Sequence, residues 1–202
     1  MLTSAVTGLA TGFVLILAIG AQNIFVLRQG LMNLHIFWVC AVCAASDSIL
    51  IGLGVRGAAS LIATFPWAMK AMTWAGATFL AVYGAFNMLR AFKTRALSVE
   101  CRGTGSLKTA IATCLALTWL NPHVYLDTVG IIGAVSAGFI EPKEKFAYWF
   151  GASSASFMFF YGLGYGARAF APIFAQPRAW TTLDVGTSLV MWMIAVLLVI
   201  NL

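Results

Sequence analysis

The chain has 202 residues, of which 61% are hydrophobic and only 9% are charged. Soluble domains usually carry ~25% charged residues and have polar helix faces, so this composition excludes a soluble protein and predicts an all-α integral membrane protein. The net charge of +6 does not indicate a nucleic-acid partner, because the basic residues mostly lie between apolar segments. There they orient the chain in the membrane and contact anionic lipid.

The first predicted helix covers 3–27, within a stretch of 27 residues that has no charged side chain. Such a stretch is long enough to cross a hydrocarbon core of about 30 Å. It lacks a basic n-region and exceeds the usual apolar length of a signal peptide, so we do not expect cleavage. Polar residues gather near its end, in Gly20-Ala21-Gln22-Asn23. They predict a helix that spans the membrane and also lines a site.

Apolar segments separated by charged or turn residues predict six transmembrane helices in one domain, 1–202. Their ranges are 3–27, 34–55, 65–89, 108–135, 146–167 and 179–202. The odd-numbered loops hold eight Lys and Arg residues against four on the opposite side. The positive-inside rule therefore predicts a cytoplasmic basic loop at 90–108 and both termini outside. Because this bias depends mainly on that loop, a five-span topology stays open.

Two halves of the chain resemble each other, 1–90 and 108–202. Gly52-Leu53-Gly54 recurs as Gly162-Leu163-Gly164, and Gly76-Ala77-Thr78 matches Gly186-Thr187-Ser188 at the same offset. Small residues are frequent in membrane helices, so each match alone is weak, but the common offset strengthens them. Three spans in each half predict two inverted three-helix repeats. Many secondary transporters have this architecture, with the site at the repeat interface.

Asp47 lies about 13 residues into the second predicted span, ~20 Å along the helix. A carboxylate at that depth costs at least ~2.5–3.5 kcal/mol, so it should face a cavity or a partner. The alternative to a functional role is a structural contact with Ser46, Ser48 or another helix. We favour function, since acids inside a membrane are usually functional.

The fourth predicted span is interrupted at Asn121-Pro122-His123. Pro122 lacks a backbone donor and frees a carbonyl group near Thr118, which must then be buried in protein or line a cavity. The exposed ends of a broken helix can also hold a carboxylate or a cation. An ordinary proline kink relieved by Thr118 is the alternative, but the polar neighbours Asn121 and His123 favour a site.

Further titratable groups follow in the second half. Asp127 either pairs with His123, four residues earlier, or faces a cavity as an acid near its exit. His123 is a candidate proton relay, because imidazole titrates near neutral pH, although a hydrogen-bonded structural histidine is the alternative. Asp184 follows the start of the last span and is expected to favour the local helix dipole.

The four cysteines do not form a zinc pattern, and we expect neither a bound metal nor a cofactor. Cys40 and Cys43 form a C-x-x-C pair, but inside an apolar helix, where small thiols commonly pack. A membrane redox enzyme that uses this pair is the alternative from another class. Gly8-x-x-x-Gly12 permits close helix packing, either within the chain or in a homodimer.

Three motifs resemble the signatures of the bacterial lysine/arginine exporter family, over nearly the whole chain. They are Leu17-Ala18-Ile19-Gly20-Ala21-Gln22-Asn23-Ile24-Phe25-Val26-Leu27-Arg28-Gln29-Gly30, Ser46-Asp47-Ser48 with Gly52-Leu53-Gly54-Val55, and Trp119-Leu120-Asn121-Pro122-His123-Val124-Tyr125-Leu126-Asp127-Thr128. The resemblance implies export of arginine or lysine across the bacterial inner membrane, driven by the membrane potential or an ion gradient. Related exporters of neutral amino acids tend to have a lysine where His123 stands, and losing that charge suits a cationic substrate.

These observations predict a transporter rather than an enzyme, with its site between the two halves. The residues expected to bind or move the substrate are Gln22, Asn23, Asp47, Asn121, Pro122, His123 and Asp127. The coupling ion is expected to be a proton. Export of neutral amino acids or of a metal cation on the same fold is the second alternative.

Overall fold

The computed structural model describes residues 1–17, 20–57, 66–93, 105–170 and 177–200, and regular structure in these ranges is entirely helical. Residues 94–104 of the predicted basic loop, Cys101 among them, lie outside the described residues. The helices are α1 (Leu2–Ile16), α2 (Ala21–Leu31), α3 (Ile36–Val55), α4 (Pro66–Lys93), α5 (Leu107–Trp119), α6 (Pro122–Tyr125), α7 (Ile132–Ser136), α8 (Pro142–Gly166) and α9 (Pro177–Ile200). A π-helical segment (Leu126–Ile131) joins α6 to α7, and a 3₁₀ turn (Ala167–Phe170) follows α8.

Several helix ends follow directly from local sequence. Pro142 occupies the first turn of α8, where its missing N–H is not needed. Ser106 caps α5, since its hydroxyl oxygen accepts from the Thr109 amide at 3.2 Å. Gly57 ends α3 with φ of +87°, a backbone conformation that glycine adopts without steric cost. These signals lie at the predicted breaks after the second span, before the fourth and before the fifth.

Long apolar helices support the prediction of a membrane protein. Among the described residues, two helical stretches are both long and apolar enough to cross a membrane, Ile36–Val55 and Ala179–Ile200. The bent pair α1–α2 makes a third if it counts as one span. Helices α4 and α8 have 28 and 25 residues, about 42 and 38 Å at 1.5 Å per residue. Both helices are long enough to span a membrane, although they are not apolar enough to be counted with the stretches above.

In the structure, the first predicted span is not one continuous helix. It divides into α1 and α2, whose axes differ by 84°. Gly20 precedes α2 in an extended conformation, so the helix restarts at Ala21. The polar group Gly20-Ala21-Gln22-Asn23 thus forms the first turn of a new helix rather than the end of an old one.

The long helices pack in pairs, α1 and α3 against α8, and α4 against α9. Gly8 and Gly12 lie in the α1–α8 contact, where a Cβ atom on Gly8 would come within 2.1 Å of the Tyr148 carbonyl oxygen. The Gly-x-x-x-Gly pattern is therefore used inside the chain. The repeated glycine segments fall in α3 and α8, and in α4 and α9, so matched segments lie in helices that pack together.

Candidate functional site

A polar cavity of about 300 Å³ lies where the two interrupted spans meet. The first turn of α2 and the break between α5 and α6 contribute its polar wall, while α3, α8 and α9 close it with larger side chains. Its polar and acidic lining residues are Gln22, Asn23, Asp47, Asn121, Asp127, Thr128 and Ser156. Neither lysine nor arginine occurs among the described residues that line it, so its charged side chains are two carboxyls.

The α2 end of the cavity presents backbone and amide donors. The N-cap residue of α2 is Gly20, which has no side chain and therefore forms no cap hydrogen bond with the first turn of the helix. The Asn23 Nδ2 donates to the Ile16 carbonyl oxygen at 3.0 Å and ties α2 to the end of α1. The Gln22 Nε2 is buried and forms no hydrogen bond with the described residues. This end of the cavity is therefore suited to an anion or a carbonyl group.

Asp47 lines the cavity from α3 and is only 7% exposed. Its Oδ2 accepts from the Ser156 hydroxyl on α8 at 3.1 Å. The neighbouring Ser46 points elsewhere and accepts from the Trp119 indole nitrogen at 3.2 Å. Asp47 thus lines the cavity and also makes the contact with another helix that was the structural alternative, while neither Ser46 nor Ser48 is its partner.

The fourth predicted span is broken as Pro122 requires, because α5 ends at Trp119 and α6 begins at Pro122. The Tyr125 hydroxyl donates to the Trp119 carbonyl oxygen at 3.0 Å, which compensates one of the acceptors freed by the break. Gly76 on α4 makes room for this bend, since a Cβ atom there would come within 1.9 Å of the Leu120 carbonyl oxygen.

Asp127 lies just after the break, in the π-helical segment, and is half-buried at the cavity wall. Segments of π-helix inside α-helices occur frequently at functional sites. The next residue, Thr128, uses its hydroxyl to donate to the Val124 carbonyl oxygen within the helix. Asn121, the residue before Pro122, is not helical and also lines the cavity.

Five of the seven predicted site residues line this one cavity, namely Gln22, Asn23, Asp47, Asn121 and Asp127. Pro122 is buried and does not line it, but its ring packs near Gly76 and shapes the break. The side chain of His123 lies outside the described part of the structure, so its predicted pairing with Asp127 stays a prediction. Sequence reasoning missed Ser156, whose position in the serine-rich stretch of α8 was the available signal.

A buried ion pair lies further along α2, away from the cavity. Arg28 Nη1 is 2.7 Å from Asp184 Oδ1, with the two side chains 9% and 2% exposed. The same nitrogen donates to Asn87 Oδ1 at 3.0 Å, so α2, α4 and α9 meet here. Arg28 was counted among the basic residues of the first predicted loop, but the structure places it inside α2, buried. Asp184 was expected to favour the dipole at the start of the last helix, but it is the eighth residue of α9 and pairs with Arg28. Without Arg28, the odd-loop count of basic residues falls from eight to seven.

The three cysteines that the structure describes, Cys40, Cys43 and Cys114, are all buried. Cys43 Sγ lies 2.9 Å from Cys114 Sγ on α5, at hydrogen-bonding distance, while Cys40 donates to the Phe160 carbonyl oxygen at 3.1 Å. All three are free and buried. Cys43 therefore contacts a thiol of another helix rather than the other member of its C-x-x-C.

Apolar helices of spanning length around a cavity that holds two carboxyls are features expected of a membrane transporter. The family model of LysE type translocators matches residues 13–202. The chain belongs to the LysE type translocator family, which makes it a transporter and not an enzyme.

Curated relatives carry the name arginine exporter protein ArgO. The protein of Salmonella schwarzengrund is 40% identical over 192 residues, which cover 93% of this chain and 89% of the relative. That of Escherichia coli is 40% identical over 191 residues with the same coverage. That of Klebsiella pneumoniae is 39% identical over 199 residues, 96% of this chain and 92% of the relative. No solved structure matches the chain.

Proposed function

We propose that this chain exports arginine, and lysine by the same chemistry, across the bacterial inner membrane by alternating access. The observation that carries the proposal is the pair of carboxyls, Asp47 and Asp127, on one cavity without a lysine or arginine among its described lining residues. The relatives named as arginine exporters support the same substrate class.

The substrate has as many cationic groups as the cavity has acidic side chains. Near neutral pH, arginine and lysine each carry two cationic groups and one carboxylate. The cavity offers two acidic side chains for the cations and the uncapped first turn of α2 for the carboxylate. A helix N-terminus favours an anion through its free N–H groups and its dipole. The amides of Gln22 and Asn121 supply further polar contacts at the same end of the substrate.

The same group of residues is proposed to couple export to the movement of an ion. A cation that leaves the cytoplasm moves against an inside-negative potential at ~2.3 kcal/mol per charge per 100 mV. Export therefore needs either a steep concentration gradient or the return of another cation. We infer proton antiport, with Asp47, Asp127 and His123 as the candidate proton carriers.

Alternating access is proposed to follow from two inverted three-helix repeats, 1–90 and 108–202, in a six-span chain. The first span of each half is interrupted, α1–α2 in one and α5–α6 in the other, and both breaks line the cavity. Discontinuous helices at a repeat interface are a recurrent feature of transporter sites. In this arrangement the loop 90–108 is cytoplasmic and both termini are outside. A homodimer is compatible with the proposal but not required by it.

Counterflow in proteoliposomes tests the substrate. Vesicles loaded with unlabelled arginine, lysine, threonine or leucine should take up labelled arginine only when loaded with arginine or lysine. Exchange with threonine or leucine would instead support an exporter of neutral amino acids. Inhibition of exchange by divalent cations in competition with arginine would support the alternative of a metal-cation exporter.

Asp47→Asn tests the site, and Glu141→Gln is its matched control because Glu141 is an exposed acid outside the cavity. We expect Asp47→Asn to abolish exchange while the protein stays in the membrane and elutes normally in gel filtration. Glu141→Gln should transport as the unmodified chain does. Normal transport by Asp47→Asn would refute the assignment of Asp47 without affecting the choice of substrate.

A further inference from the structure

A second, larger depression lies on the outer surface between the C-terminal half of α3 and the N-terminal half of α8. Its volume is about 760 Å³, and it has no lining residue in common with the polar cavity. The exposed side chains of Ile49 and Leu53 form one wall, and Phe146 with Trp149 forms the other. We call it the α3–α8 cleft.

The deep end of the cleft is suited to an apolar ligand. The Ser48 hydroxyl donates within its own helix, to the Ala44 carbonyl oxygen at 2.8 Å. The Trp149 indole nitrogen donates to the Ser48 carbonyl oxygen at 2.9 Å. The polar groups at this end are therefore already partnered, and an amino acid would find few groups to bind there.

The mouth of the cleft is cationic. Arg56 follows the last turn of α3 and Lys145 lies in the first turns of α8, so both line the same end. The cleft has no acidic residue among its described lining residues. The neighbours of Lys145 on α8, Lys143 and Glu144, belong to other faces of the helix and do not line it.

We propose that the α3–α8 cleft binds an anionic phospholipid, with its phosphate at Arg56 and Lys145 and one acyl chain along the apolar walls. The nine residues from Ser48 to Arg56 span ~12 Å at 1.5 Å per residue, close to the ~15 Å depth of hydrocarbon in one leaflet. A guanidinium and an ammonium group beside an apolar surface can bind a phosphate through charge-assisted hydrogen bonds. This site is independent of the proposed transport activity.

A second copy of the chain is a poorer occupant. A two-fold contact brings the same patch of both copies together, so the Arg56 and Lys145 pairs would face one another with like charge. An anionic lipid neutralises the same charges and fills the apolar walls.

Native mass spectrometry of the purified full chain in detergent tests the proposal. The probes are dipalmitoyl phosphatidylglycerol, dipalmitoyl phosphatidylcholine and soluble glycerol 3-phosphate. The test variant is Arg56→Gln with Lys145→Gln. Its matched control is Lys70→Gln with Lys143→Gln, which removes two exposed charges outside the cleft. Gel filtration and circular dichroism establish that each variant is folded.

We expect one phosphatidylglycerol to bind the unmodified chain at least about fivefold more tightly than phosphatidylcholine, and the test variant to lose this preference. The control variant should keep it. Equal binding of the two lipids by the unmodified chain would overturn the proposal, as would a preference that survives in the test variant. Tight binding of glycerol 3-phosphate alone would overturn it in favour of a free phosphate site. A dimer that excludes the lipid would overturn it in favour of a second copy.

Discussion

The buried ion pair between Arg28 and Asp184 allows a quantitative prediction. Asp184→Asn removes the anion 2.7 Å from the guanidinium, while Asn87 still accepts from the same nitrogen but carries no charge. Removing one partner of a buried pair costs about 3–5 kcal/mol, because the remaining charge is uncompensated. For a chain of this size each kcal/mol lowers the melting temperature by ~2–4 °C, so we expect a decrease of about 6–20 °C.

The assay is thermal unfolding of the purified protein in one detergent, followed by intrinsic fluorescence. Arg28→Met with Asp184→Leu removes both charges and should recover most of the loss, since apolar replacement of a buried pair is often neutral. Arg168→Met is the control, because Arg168 is exposed and its hydrogen bond to Asn33 is worth less than about 1 kcal/mol. The reasoning is refuted if Asp184→Asn melts no lower than the control, or if the double variant is less stable than Asp184→Asn.

Three further predictions use the same purified protein. Gly8→Ala should lower the melting temperature by the equivalent of about 1–3 kcal/mol, because its new methyl group meets the backbone of α8, whereas Gly186→Ala, with open space around it, should not. Tyr125→Phe leaves the Trp119 carbonyl without its hydroxyl donor and should cost about 1–3 kcal/mol in the same melting assay, with a smaller loss refuting the role of this bond at the break. Cys43→Ser should leave arginine exchange in proteoliposomes near the unmodified level, because its thiol packs against Cys114 and does not line the cavity, and abolition of exchange would show that transport needs this thiol.

Much of the site was predictable because each of its parts has a local cause. Pro122 must interrupt a helix wherever it lies inside one, and a carboxylate such as Asp47 cannot face lipid. A polar cluster at Gln22 and Asn23 in an otherwise apolar stretch must likewise turn inward. These three constraints act on separate segments, and each one indicates a residue that faces protein or a cavity.

The ion pair could not be predicted in the same way. Arg28 and Asp184 are 156 residues apart, and each has an ordinary local explanation, as a loop cation and as an acid near a helix start. Only the packing of α2 against α9 removes both side chains from solvent and brings them together. The bend between α1 and α2 was missed for a related reason, because glycine and alanine at the break are compatible with a continuous helix.

The sequence by itself determined that the chain is helical and apolar enough for a membrane. It also determined which polar residues had to face inward. Both follow because composition, proline geometry and the cost of burying charge act locally. Tertiary structure alone decided which side chains of the two halves line the same cavity, that Ser156 donates to Asp47, and that Gly76 accommodates the broken span. Contacts of this kind depend on how helices that are distant in the chain lie relative to one another. Close packing at glycines sets these positions, and local sequence does not encode them.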